Sequence, residues 1–90
     1  MKVESPIREI EISLLKFADD RGDNKTFCPS ETAREVFNED WSEKMDLVRE
    51  VSDELVLNNK LIVLQKGEIM DALPSKLKGP IRLRRKPPEL

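Results

Sequence analysis

Ninety residues with a net charge of −2 and equal apolar and charged fractions (38% each) describe one small domain. With no histidine, no tyrosine and one cysteine, the chain lacks most nucleophile–base pairs, any Cys/His metal cluster and any internal disulfide. No apolar run approaches the roughly 20 residues that span a bilayer, and the amino terminus lacks a secretory core, so a reduced, cytoplasmic setting is the expectation.

Ser5-Pro6 opens the first helix: a hydroxyl cap, then proline where a missing donor costs nothing. Ile7, Ile10, Leu14, Phe17 and Ala18 follow at helical spacing, predicting a helix over about 6–19 that ends in the turn-rich run Asp19–Asn24. Lys25–Cys28 reads as a short extended piece able to pair with a later strand. Ser30 reads as the cap of a second, short helix over about 31–37 with Ala33, Val36 and Phe37 on its apolar face. Asp40-Trp41-Ser42-Glu43 has the form of a capping box and predicts a third helix from there to about Leu57, stopped by Asn58-Asn59.

Leu61–Gln65 is β-branched and apolar, a strand; Lys66-Gly67 has turn chemistry; residues 69–75 read as irregular. Ile81-Arg82-Leu83-Arg84 alternates apolar and cationic, as a strand with one buried and one wet face does. The expectation is an α+β winged helix-turn-helix over residues 1–86: three helices and a C-terminal β-hairpin wing, with 87–90 as a frayed tail. The competing architecture is a three-helix bundle with a disordered tail.

Charge is unevenly distributed. Residues 1–59 carry −7 and residues 60–90 carry +5. A basic end on an acidic body fits an anionic partner; it fits equally a basic strand that neutralises acidic helices. Lys66, Lys76, Lys78, Arg82, Arg84 and Arg85 lie on or beside the expected wing, with Arg82 and Arg84 on one strand face. Such a wing can track a phosphate backbone; the structural alternative is an edge strand guarded by charge. Lys44, Arg49 and Gln65 are supporting candidates. The third helix is a poor recognition helix, because residues 40–54 hold six acids against Lys44 and Arg49. Arg49 also suits an ion pair with Glu31 or another neighbouring acid.

Other residues read as structural. Cys28 beside Phe27 is a small apolar group without an imidazole base. Trp41 and the three phenylalanines sit at core positions, although aromatic rings can stack on bases. Asp19-Asp20-x-x-Asp23 lacks the ligand pattern of a calcium loop, and no glycine-rich phosphate loop exists. Neither cofactor nor metal is implied, and the chain does not read as an enzyme.

Four motifs in order carry a resemblance. They are Cys28-Pro29-Ser30-Glu31 with Ala33-Arg34; Trp41 with Met45, Val48 and Arg49; Gln65-Lys66-Gly67; and Gly79-Pro80-Ile81-Arg82. Over about residues 6–85 the chain resembles a small bacterial winged-helix family of unknown function. The resemblance implies the fold and no particular activity. Where it implies arginine soon after the tryptophan, this chain has Ser42-Glu43-Lys44. The expected function is nucleic-acid binding, DNA or RNA, by a basic wing, with a regulatory role. The alternative is a protein–protein adaptor using the acidic helical face.

Overall fold

The computed structural model describes residues 5–87. Its elements run α1 (Pro6–Arg21), α2 (Pro29–Phe37), a 3₁₀ segment (Asn38–Lys44), α3 (Met45–Leu57), β1 (Leu61–Gln65), β2 (Glu68–Ile69), a 3₁₀ turn (Pro74–Lys76) and β3 (Arg82–Arg85). The chain is therefore α+β with a three-stranded antiparallel sheet in the order β2-β1-β3. The expected tail lies, beyond Pro87, outside the described residues.

α1 starts as the sequence suggests. The Ser5 hydroxyl accepts from the Arg8 backbone N–H, and Pro6 occupies the first turn. The helix runs two residues past the expected end, to Arg21, because the left-handed Gly22 (φ 79°) accepts the turn and returns its N–H to Ala18 O.

α2 begins earlier than expected. Its cap is Cys28, not Ser30, and the Glu31 carboxylate accepts the Cys28 backbone N–H at 3.0 Å. Ser30 Oγ instead lies 3.2 Å from Cys28 Sγ. The capping box expected at Asp40–Glu43 does not form. Asn38 adopts a positive φ of 55°, the chain tightens into 3₁₀ geometry through Lys44, and α3 starts only at Met45.

α3 buries Val48, Val51, Ser52 and Leu55. Val51 and Ser52 are both inside, the serine because its hydroxyl donates to Val48 O at 2.8 Å. With Ile10, Leu14, Ala18, Phe27, Ala33, Leu61, Val63, Ile81 and Leu83 these apolar side chains form one core, onto which Trp41, Met45 and Met70 pack.

The register determines what each sheet face shows. Val63 pairs with Leu83 and Leu61 with Arg85, so these four side chains share the face toward the helices. Ile62, Leu64, Arg82 and Arg84 point the other way, and Ile69, paired with Leu64, joins them. Of residues 69–75, expected to be irregular, Ile69 ends β2 and Pro74-Ser75 open the 3₁₀ turn: Lys66 (φ 53°) and Gly67 (φ 82°) make a two-residue turn with both residues left-handed, which returns the chain at once against β1. Phe27 exchanges both backbone hydrogen bonds with Leu83 at 2.8 Å, so the 25–28 segment adds a one-residue bridge beside β3.

Candidate nucleic-acid interface

The basic residues of the C-terminal third have three different fates. Arg85 is claimed by the body of the molecule. Its Nε donates to Asp23 at 2.8 Å and its Nη1 to Asp19 at 3.3 Å, and these acids raise its pKa above the ordinary guanidinium value, Asp23 first. The Asp19–Asp23 run, which the sequence marks only as the turn that ends α1, is thus the clamp of the last strand. Arg84 faces the outer side of the sheet, and its Nε is buried without a hydrogen-bond partner.

Arg82 is exposed but tethered. Its Nε donates to Thr26 Oγ1 at 2.9 Å and its Nη2 to Thr26 O at 3.3 Å, so the guanidinium is pre-positioned by neutral acceptors. Glu31 is near enough for Arg82 to help lower its pKa. The larger causes of that lowering are the hydrogen bond from Arg21, which outweighs the opposing effect of burial, and the Cys28 N–H. The carboxylate expected to meet Arg49 therefore belongs to Arg21, whose Nη2 lies 2.5 Å from Glu31 Oε1. Docking the end of α1 on the start of α2 brings that pair together.

Arg49 has a structural task. From α3 its Nη1 donates to Leu77 O at 2.8 Å and its Nη2 to Gly79 O at 2.6 Å. Asp53, one turn further on, accepts from the Ser75 backbone N–H at 2.9 Å and from its hydroxyl. Gln65 completes the fastening from β1, its Nε2 donating to Lys78 O at 2.6 Å. The 73–80 loop is thus strapped to α3 and β1 by three side chains, which turns an irregular segment into a defined wall.

That wall faces the β1–β2 turn across a cleft of about 540 Å³ lined by Gln65, Lys66, Gly67, Lys78, Gly79, Pro80 and Arg82. Three cations and no carboxylate line it. Among the described residues Lys66 and Lys78 make no ion pair. Gly79 adopts a positive φ of 86° in this wall, a backbone conformation that L side chains rarely take. Lys76 is exposed on the same loop but does not line the cleft. Of the candidates read from the sequence, Lys66, Lys78, Arg82 and the carboxamide of Gln65 come together here. Arg49 and Arg85 serve the fold, and Arg84 stands apart.

Lys44 is separate again, its Nζ over the Phe37 ring at 5.6 Å. Beside it Arg34 lies 4.3 Å over Trp41, a pair unforeseen because the two residues meet only once the 3₁₀ segment folds back on α2. α3 itself shows water an acidic stripe: Asp46, Glu50 and Glu54 are exposed one turn apart. Among the described residues no group of acids, cysteine or histidine could hold a metal ion, and no helix is long and apolar enough to cross a membrane.

An α+β chain with a three-stranded antiparallel sheet, a strapped loop and a basic cleft is what these residues build. The chain belongs to the family described as "Protein of unknown function (DUF3253)", matched over residues 7–86. A search of curated proteins finds no match.

Proposed function

We propose that this chain is a winged-helix protein that binds the phosphate backbone of nucleic acid through the cleft between the β1–β2 turn and the 73–80 loop. In this reading β1, β2 and β3 form the wing, and α3 is the helix that would meet a groove in other winged-helix proteins. The acidic stripe of α3 opposes insertion between two phosphate rows, so the contact falls to Lys66, Lys78 and Arg82, with Lys76 at the margin. The carrying observation is the cleft lined by these three cations with no acid among its lining residues.

Contacts of this kind position a protein without reading sequence. Binding would therefore be weakly selective among duplexes and strongly sensitive to salt. Fluorescence anisotropy with a random duplex at low ionic strength tests the proposal. With three phosphates neutralised, log K should fall with log salt with a slope of about −2.7. No binding at tens of micromolar, or binding indifferent to salt, would refute it.

The acidic stripe of α3 favours a second reading, a protein adaptor that meets a basic partner. Capture from lysate with and without nuclease separates the two: loss of everything on nuclease treatment supports nucleic acid, and a protein retained through it supports the adaptor.

A further inference from the structure

We propose that the face formed by α3 and the 73–80 loop is a self-complementary interface through which two copies of this chain pair around a two-fold axis. This inference is independent of the nucleic-acid reading. Asp46, Glu50 and Glu54 recur at four-residue spacing on the outward side of α3, and all three are exposed. Like charges one turn apart repel. The one cation within α3, Arg49, is turned away to the Leu77 and Gly79 carbonyls. Among the described residues no ion pair relieves the stripe.

Directly beside the stripe runs a loop of opposite sign. Lys76 and Lys78 are exposed on it, and both are likewise without an ion pair among the described residues. The straps Asp53–Ser75 and Arg49–Leu77 hold loop and helix side by side, and a cleft of about 320 Å³ lined by Asp46, Arg49, Glu50, Ser75 and Leu77 marks the seam.

An isologous contact uses one patch on both partners, so it requires that patch to be complementary to itself. An acidic strip next to a basic strip meets this requirement: rotation by 180° about the seam lays each copy's carboxylates on the other's lysines. Leu57, exposed at the end of the stripe at 61%, supplies an apolar contact at the margin. The occupant of this face is thus a second copy of the chain. Because Lys78 belongs to both surfaces, pairing and polyanion binding compete for it.

Sedimentation velocity on the full chain without nucleic acid tests the pairing. In about 50 mM salt, where screening reaches beyond 10 Å, the chain should show twice its 10.4 kDa mass, returning to single mass near 1 M salt. Glu50→Lys with Glu54→Lys makes the face predominantly basic, leaving Asp46 as the stripe's remaining acid, and Lys76→Glu with Lys78→Glu makes it wholly acidic. Each variant alone should stay single, and an equimolar mixture should form a one-to-one pair. All four positions are exposed, and far-UV circular dichroism confirms the fold of each variant. A wild-type chain that stays single at low salt, a mixture that does not pair, or growth beyond two chains would each overturn the proposal. None of these results bears on Lys66 and Arg82, so the nucleic-acid reading stands or falls separately.

Discussion

Replacing Arg49 by methionine separates a groove contact, which the sequence allows, from the structural strap to the 73–80 loop. Methionine keeps the aliphatic stem over α3 and deletes the two donors to Leu77 O and Gly79 O. Hydrogen bonds from a charged group contribute about 1.5–3 kcal/mol each when shielded, and this pair is half exposed, so water recovers part of the loss; a net cost of about 2 kcal/mol follows. For a domain of this size that is a fall in melting temperature of roughly 8–16 °C. Thermal and urea melts followed by circular dichroism measure it. Arg49→Lys should regain about half, since an ammonium can satisfy one carbonyl well but not the fork of two. Duplex affinity should fall only about two- to five-fold, through loosening of the loop that carries Lys78. A melting shift under about 2 °C, together with a salt slope reduced by about one, would mean that Arg49 touches phosphate and that the strap account is wrong.

Phe27→Ala should cost about 3–5 kcal/mol, enough to unfold much of the population, because the ring is fully buried and its backbone bridges β3; equilibrium urea unfolding reads the loss. Asp19→Asn with Asp23→Asn should tighten duplex binding at low salt roughly two- to ten-fold by removing two negative charges beside Arg85, and an unchanged affinity would count against electrostatic engagement of this end. Glu35 is held below the usual carboxylate range by the Ser13 hydroxyl first and Lys16 second. Its contribution to stability is therefore present above the unfolded glutamate pKa of about 4.3 and is lost as pH falls through the lower folded value; Glu35→Gln should flatten that part of the acid-unfolding curve.

What the sequence disclosed and what it hid divide by range. α1 and β3 were legible because their apolar residues repeat at 3.6 or 2, β1 because it is a short continuous apolar run rich in branched residues, and Ser5-Pro6 and Asn58-Asn59 punctuate locally. β2 was hidden because two residues carry no periodicity; only the left-handed Lys66-Gly67 turn specifies it. The start of α3 was misread because Asp40–Glu43 imitates a capping box, while the deciding event is the positive φ at Asn38. The candidate site was half visible. Its lysines could be read from composition, but the pairing of Arg85 with residues 62 and 66 positions earlier exists only once α1 packs against β3. The sequence leaves Arg49 between a groove contact and an ion pair with an acid for the same reason: its acceptors are main-chain carbonyls 28 and 30 positions on, which no side-chain pattern announces.

The cleft account is tested most directly by a salt titration of duplex binding for the chain and for a variant carrying Lys66→Gln, Lys78→Gln and Arg82→Gln. All three side chains are exposed, so the fold should persist. The account predicts that the variant loses about three counter-ions' worth of salt dependence and most of its affinity. A variant that binds with the slope and strength of the parent chain would contradict it.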